Sequence, residues 1–512
     1  MKKSLLLLVC ISISFNGFSQ FFKDKKDITN FDGFFKFYYD DNADKLFLQI
    51  DTLDEEFLYV GSLSEGIGSN DIGLDRGQLG DGVVVKFKKA GNKILLIQPN
   101  QKYRAITTNK EEKQSVKEAF AKSVLHGFVI KETKNNSYLV DATDFFIRDA
   151  HGVSNRLSSR KQGNYSLDKS KSAFYIERTK AFLKNVEFDV MLTFKGKAKG
   201  YNIRSVAPNS SLVTVHQHHS FVKLPDDTYT PRKFDPRCGS YPMSYLDYAT
   251  PVNQSITKRF VYRHRLEKKN PKAKISEAKE PIVYYLDRGT PEPVRSALLE
   301  GARWWNQAFT AIGYTNAFQV KMLPENADPL DVRYNMIQWV HRSTRGWSYG
   351  GSIADPRTGE IIKGHVSLGS LRIRQDFLIA QALQAPYKNN DSNDDFALQM
   401  ALARIRQLSA HEVGHTLGFA HNFAASTNNR ASVMDYPHPK FTIQDDKIDF
   451  SDAYSVGIGA WDKVTVAYSY QDFLGDEEQG LQKILNDAFA SGLRYISDAD
   501  ARPQGSAHAY AH

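Results

Sequence analysis

Three histidines and one glutamate lie close together in the segment HEVGHTLGFAH (411–421). His411 and His415 are four residues apart, so on a helix they share one face and can bind the same metal ion. Glu412 lies beside them, where its carboxylate can reach a water on that ion rather than the ion itself. This combination predicts a metal centre that activates water for hydrolysis.

The third histidine, His421, can bind the same ion only if the helix ends before it. Because His421 is six residues past His415, a continued helix would turn it by about 120° away from the other two histidines. Gly418 lies between them, and glycine accepts the positive φ that ends a helix with a turn back. We therefore predict that the helix stops at Gly418 and that His411, His415 and His421 converge. The alternative is a helix with surface histidines, in which Gly418 and His421 match the metal-binding pattern by chance.

The eleven residues resemble the long zinc signature of the metzincin metallopeptidases. Further along, SVMDY (432–436) resembles the Met-turn of that clan, whose methionine lies under the zinc site. More closely, the chain is similar to a family of exported bacterial Met-zincin proteins with a long β-rich N-terminal region. DPRTGE (355–360) and GAWDKV (459–464) carry this narrower resemblance.

The resemblance implies a secreted zinc-dependent endopeptidase with one catalytic Zn²⁺, bound by His411, His415 and His421. A zinc-activated water would attack the peptide bond, with Glu412 as the general base. The alternative is a catalytically silent or latent metzincin-fold binding protein of the cell envelope. Inactive copies usually lose the glutamate or a histidine, whereas all four residues are intact in this sequence.

The resemblance also implies roles for residues around the ion. Tyr436 would bind zinc and then stabilise the oxyanion, or it is a buried structural tyrosine after the turn. Met434 and Gly418 would have structural roles. The segment 347–355 resembles the edge strand against which an extended peptide pairs, and its glycines would allow close backbone approach or mark a bulge. The candidate substrate-binding residues of this strand are Gly351, Ser352 and Ile353.

The elements that must position these residues fall into two parts. From 20 to 280, short apolar or alternating runs separated by turn residues predict a β-rich region of one or two domains, with a helix only around 111–125. The segment 267–279, rich in Lys, Glu and Ala, predicts a solvated linker. From 281 onward, strands and a helix over 291–312 precede a long helix that begins near Asn393.

The predicted fold class is therefore α+β. The resemblance adds a metzincin-like catalytic domain, with a twisted mixed sheet and a long active-site helix, after the β-rich region. Its upper subdomain would cover 281–424. Its lower subdomain, with the Met-turn, would cover 425–512 and is expected to be truncated.

Residues 1–19 have the pattern of a signal peptide. Lys2 and Lys3 precede an apolar stretch too short to span a bilayer, and a mature start is predicted at Gln20. We expect export to the periplasm, the cell surface or the medium. With 512 residues, 24% charged, and a mean hydropathy of −0.46, the chain is no polytopic membrane protein, and no transmembrane segment is expected after cleavage.

A net charge of +9 without a block of Lys or Arg does not indicate a nucleic-acid partner, so the expected partner is a peptide or protein substrate.

Two further residue patterns lie in the N-terminal region. His216 and His218 would face one side of a strand, next to His219, as a second metal site or a surface cluster. PRCG (236–239) resembles the cysteine switch of matrix metallopeptidases, so Cys238 would enforce latency or be a structural thiol. It is the one thiol left after cleavage, so no intramolecular disulfide is expected.

Overall fold

The structure is a computed structural model, and it describes residues 18, 20–344, 346–384, 394–445 and 447–501. The predicted signal peptide, apart from Phe18, lies outside the described residues, and so do residues 502–512. Among the helices in the described ranges, none combines the length and the apolar character needed to cross a membrane.

Alternating apolar runs form the strands of the first part of the chain, as the sequence predicts. The strands are β1 (Ile28–Phe31), β2 (Lys36–Asp40), β3 (Lys45–Ile50), β4 (Glu56–Glu65), β5 (Leu79–Ala90), β6 (Lys93–Gln98), β7 (Tyr103–Arg104), β8 (Ser123–Lys134), β9 (Ser137–Asp141), β10 (Gly163–Leu167), β11 (Ala173–Phe174), β12 (Lys180–Ala181), β13 (Asn185–Ala198), β14 (Leu212–Val222), β15 (Pro242–Asp247), β16 (Thr257–Val261), β17 (Arg263–His264) and β18 (Ser276–Glu277).

The helices of this part are α1 (Lys110–Ala119), α2 (Thr143–Phe146), α3 (Val153–Ser159) and α4 (Tyr201–Val206). The helix predicted over 111–125 ends earlier than expected, because Phe120 is extended and the chain then enters β8. The other three helices were not predicted, since four to seven residues are too few for a helical period to show.

One antiparallel sheet dominates this part of the chain. Within the described residues its strand order is β1-β2-β3-β9-β8-β6-β5-β4-β14-β13-β10, with β11 and β12 also paired to β13. Its core is aromatic: Phe37, Phe57, Phe188 and Phe221 are all buried in one cluster. The β-rich N-terminal region is thus confirmed.

The second part of the chain alternates strands and helices. Its strands are β19 (Ile282–Leu286), β20 (Tyr314–Thr315), β21 (Phe318–Met322), β22 (Asn335–Val340), β23 (Tyr349–Ala354), β24 (Glu360–Gly369), β25 (Thr442–Gln444) and β26 (Lys447–Asp449). Its helices are α5 (Val294–Arg303), α6 (Trp305–Ala311), α7 (Leu371–Gln384), α8 (Asp394–Thr416), α9 (Ala460–Tyr470), α10 (Glu477–Ala490) and α11 (Asp498–Ala501). The helix predicted over 291–312 is divided into α5 and α6.

A mixed sheet supports the long helix α8. Strands β17, β24, β22, β19 and β21 are parallel, and β23 adds antiparallel to β24 at the edge. Apolar residues of α8, such as Ile405 and Val413, pack in one cluster with Ile337 and Val366 of the sheet. The predicted α+β class with a long helix is confirmed.

The other face of this sheet packs on the N-terminal region. Ile353 of β23 contacts the cluster formed by Val60 and Val84 of that region. The segment 267–279, predicted as a solvated linker, is a folded loop, because Ser276–Glu277 pairs with Tyr314–Thr315 and the Lys269 N–H donates to the Glu277 carbonyl at 2.8 Å.

Candidate metal centre

Helix α8 ends at a glycine turn, as the spacing of the histidines requires. Gly418 has a φ of 100°, and the N–H of Phe419 donates to the Gly414 carbonyl at 3.0 Å. The N–H of Gly418 donates to the His415 carbonyl at 3.1 Å, which completes a Schellman motif. A Cβ at position 418 would lie 1.9 Å from the Tyr262 carbonyl oxygen, so only glycine fits without a shift.

The turn brings the three predicted histidines together. His411, His415 and His421 each offer a ring nitrogen, and these nitrogens lie within 4.8 Å of one another. The Nε2 atoms of His411 and His415 are 3.2 Å apart. Two Zn–N bonds of about 2.0–2.1 Å at a tetrahedral angle place their nitrogens about 3.3–3.4 Å apart. The spacing therefore suits one zinc ion.

The second nitrogen of each ring, Nδ1, is hydrogen-bonded to an oxygen. The acceptors are the Val433 carbonyl for His411 (2.8 Å), the Phe419 carbonyl for His415 (2.8 Å) and the Asp498 carboxylate for His421 (2.9 Å). A carbonyl or carboxylate oxygen can only accept, so Nδ1 carries the proton and Nε2 keeps its lone pair. The Nε2 atom of His421 is buried and has no hydrogen-bond partner among the described residues, as a ligand atom would be.

Burial also keeps the rings of His411 and His415 neutral. It lowers the pKa of His415 to about 4 and the pKa of His411 well below its ordinary value. Metal ligation requires the neutral imidazole, so at neutral pH both rings are ready to bind an ion.

Glu412 lies on the same helix turn and is almost fully buried, with 4% of its surface exposed. Burial raises the pKa of its carboxyl to about 8, while Arg404 and a hydrogen bond from the Gly350 backbone act in the opposite direction. A Cβ at Gly350 would lie 2.2 Å from the Glu412 carbonyl oxygen. Gly350 therefore lets the edge strand β23 contact helix α8 directly.

The structure changes the interpretation of the glycines in β23. Gly350 makes the close approach to the helix, whereas Gly351 faces the N-terminal region, with Leu79 about 3.7 Å from its added Cβ. Ile353 faces the same way, and Ser352 pairs with Gly364. The register shifts between Ile353 and Ala354, so the bulge is not at the glycines. In the described ranges β23 pairs with β24 alone, which leaves its outer edge without a strand.

The predicted Met-turn lies beneath the helix. Met434 is 1% exposed, and a Cβ at Gly414 would lie 2.3 Å from its sulfur. Asp462 fixes the turn, because its carboxylate accepts from the N–H groups of Val433 (2.9 Å) and Gly459 (2.8 Å). This contact explains the presence of an aspartate in GAWDKV (459–464).

Tyr436 faces the three histidines. Its ring centroid lies 4.7 Å from that of His421 and 5.2 Å from that of His411. The side chain is 45% exposed, so Tyr436 is not a buried tyrosine.

Two residues of the site were not predicted. Asp498 orients His421, and Tyr241 of the N-terminal region places its hydroxyl 3.3 Å from Nδ1 of His415. The backbone around Tyr241 is hydrogen-bonded to the glycine turn: its N–H donates to the Gly418 carbonyl at 2.8 Å, and the Ala420 N–H donates to the Gly239 carbonyl at 2.9 Å. Neither residue is close in sequence to the histidines.

The structure contradicts a thiol switch. Cys238 is fully buried in a cluster with Val261, Tyr468 and Leu481, and burial raises the pKa of its thiol to about 11. The thiol is not part of the group that could hold a metal. Cys238 is therefore a structural thiol, the other of the two interpretations.

The second histidine cluster is neither a metal site nor a surface cluster. His218 is 3% exposed, and both of its nitrogens contact carboxylates, those of Glu187 and Asp189. His219 is fully buried and hydrogen-bonds to Tyr59 at 2.8 Å. Among the described residues, the triad of His411, His415 and His421 is the one group of His, Cys, Asp or Glu that could hold an ion.

Comparison with known families agrees with this geometry. Residues 393–512 match a family model described as Met-zincin, and residues 77–269 match a domain of unknown function, DUF5117. No curated protein and no solved structure matches the chain. The resemblance to the metzincins is confirmed: the C-terminal part of the chain is a Met-zincin domain, and its histidine triad fits that clan. Together they support a zinc metallopeptidase in general terms.

Proposed function

We propose that the protein is an exported zinc endopeptidase that cleaves peptide bonds, with Glu412 as the general base. The observation that carries this proposal is the buried Nε2 of His421, which has no hydrogen-bond partner in the part of the chain that the structure describes, yet lies with the two other histidine nitrogens inside 4.8 Å. One zinc ion per chain is expected at this point. Bound zinc would supply Lewis-acid polarisation of the scissile carbonyl and of the attacking water.

The protein groups would move the protons. Glu412 would accept a proton from the attacking water and deliver it to the leaving amine, a role typically worth about 10²–10⁴-fold in rate. The Gly350 backbone favours the charged form of this carboxylate, which supports the role of a base. Tyr436 would donate its phenolic proton in a hydrogen bond to the oxyanion as that charge develops.

The outer edge of β23 would bind the substrate. An extended peptide added antiparallel to this edge would gain main-chain hydrogen bonds with Gly351 and its neighbours Ser352 and Ile353. Contact between Gly350 and helix α8 supports this arrangement, since it places the strand directly beside Glu412. The signal-peptide pattern of residues 1–19 supports a periplasmic, cell-surface or extracellular location.

A peptide-library digest of the purified chain, with and without a chelator, would test this function. We expect one zinc per chain by elemental analysis, lost in His415→Ala and kept in Glu412→Gln, with hydrolysis lost in both. His341→Ala is the matched control, because His341 is exposed and bonds only to Ser370 within the described structure. Full activity of the zinc-free wild type, or of Glu412→Gln, would refute the proposal.

A further inference from the structure

A cavity of about 340 Å³ opens beside the metal centre, between α7, α8 and the segment after the Met-turn. Tyr436 forms the wall that the cavity shares with the metal centre, because its ring also lies 4.7 Å from that of His421. Met400, Pro437 and Ile379 give the cavity apolar walls. A peptide bound at the metal centre would therefore pass close to this cavity.

Arg404 lines this cavity on the same helix as the metal ligands. It precedes His411 by seven residues, a rotation of about 700°, so the two side chains leave α8 in nearly the same direction. The axial distance between them is about 10.5 Å. This separation suits a substrate side chain of the length of glutamate that forms a hydrogen bond with the Arg404 guanidinium.

Arg404 has no salt-bridge partner within the described structure, although the carboxylates of Asp376 and Glu412 act on its charge from a distance. The side chain is 6% exposed, and its Nε and Nη1 groups are buried without a hydrogen-bond partner among the described residues. The nearby carboxylate of Asp376 is paired with Arg372, with Nε and Oδ2 2.8 Å apart. The guanidinium contacts the Tyr454 ring, 5.7 Å from the centroid, which satisfies none of its N–H groups. Two buried guanidinium N–H groups without acceptors are unfavourable until an anion binds them.

We propose that this cavity binds an acidic side chain of the substrate, and that Arg404 is the residue that selects it. The inference rests on the proposed peptidase function and adds the substrate class. A guanidinium binds a carboxylate through two parallel N–H···O bonds, a geometry that an amide cannot reproduce with the same strength. The apolar walls would hold the methylene groups of the acidic residue. An aliphatic side chain could occupy those walls too, but would leave the guanidinium unpaired.

The test compares matched peptides that differ at one position near the cleaved bond, with Glu, Gln, Leu or Lys. We expect wild type to cleave the Glu peptide about 10- to 100-fold faster than the Gln peptide in kcat/KM, the range of a charged hydrogen bond. In Arg404→Gln this ratio should fall to about one, and Arg404→Lys should keep part of it. Arg406→Gln is the matched control, because Arg406 pairs with Glu300 at 2.6 Å instead. It should keep the full ratio.

Equal cleavage of the Glu and Gln peptides by wild type would overturn the proposal, and so would an unchanged ratio in Arg404→Gln. The wild-type ratio needs no variant, so the test stands even if Arg404→Gln fails to fold. If no peptide is cleaved, the peptidase function itself fails. The cavity is then tested by fluorescence anisotropy of the same labelled peptides, where tighter binding of Glu than of Gln supports it and equal binding overturns it.

Discussion

Asp498 accepts a hydrogen bond from Nδ1 of His421 at 2.9 Å, although 77 residues separate them in sequence. The carboxylate fixes the ring so that Nε2 points to the other two histidines. Partners of this kind orient a metal ligand and raise its basicity. The short helix that carries Asp498 is thus part of the metal centre.

Asp498→Asn should weaken zinc binding by about 10- to 100-fold, the usual effect of losing such a partner. Competition with a chromophoric chelator would measure the change. Asp500→Asn is the matched control, since Asp500 lies on the same turn and accepts from the Ser497 hydroxyl at 2.7 Å. Equal zinc affinity in wild type and Asp498→Asn would contradict this role.

Gly418→Ala should destabilise the fold and release zinc, because the added Cβ would overlap the Tyr262 carbonyl in a turn with positive φ. Strained backbone alone is worth about 1–3 kcal/mol, and the overlap adds to it. Gly492→Ala separates backbone strain from steric overlap, since Gly492 has a φ of 89° but open space around an added Cβ. Urea unfolding of both variants would measure the difference. Equal destabilisation of the two variants would show that the structure around position 418 shifts to accommodate the added Cβ without a further cost.

The stability of the N-terminal region should fall as pH rises from about 6.5 to 9. Burial alone lowers the pKa of His218, but its bonds to Asp189 and Glu187 outweigh burial and raise it to about 9. A raised folded-state pKa gives stability that is complete below the unfolded value near 6.5 and is lost as pH passes the folded value. The loss should be about 3 kcal/mol.

Urea denaturation at several pH values would measure this loss. His218→Gln should be less stable at pH 6 and should show a flatter pH profile between 6.5 and 9. A wild-type profile that is flat over that range would contradict a charged, doubly paired His218.

The thiol of Cys238 should not react with Ellman's reagent in the folded protein, because it is fully buried and its pKa is raised to about 11. One thiol should react after unfolding in a chain that begins at Gln20. Cys238→Ser should not increase peptide hydrolysis, since the thiol does not reach the histidines. An increase in activity would restore the latency hypothesis.

The sequence predicted the local part of the site. The histidines, Glu412 and Gly418 fall within eleven residues, so one helix and one turn determine their arrangement. The strands of the second part of the chain were also predictable, because apolar runs bounded by Pro and Gly are a local signal. Helix α7 was missed, since apolar and charged residues mix along it.

The rest of the site depends on contacts between distant parts of the chain. Asp498 and Tyr241 are polar residues in segments with no motif, and only folding brings them to His421 and His415. Arg404 has no salt-bridge partner in the described ranges because Asp376 pairs with Arg372, which spacing along α8 does not reveal. The burial of His218 could not be predicted, because alternation in a strand shows on which face a residue lies, and not whether that face is covered.

The backbone bonds between Gly239–Tyr241 and Gly418–Ala420 tie the N-terminal half to the loop that presents His421. Many secreted enzymes mature by shedding the part of the chain that precedes the catalytic domain. In this protein such a cut would strip hydrogen-bond partners from the loop on which the third ligand depends. We therefore expect the β-rich half to remain part of the proposed enzyme, because its removal would free the loop that presents His421.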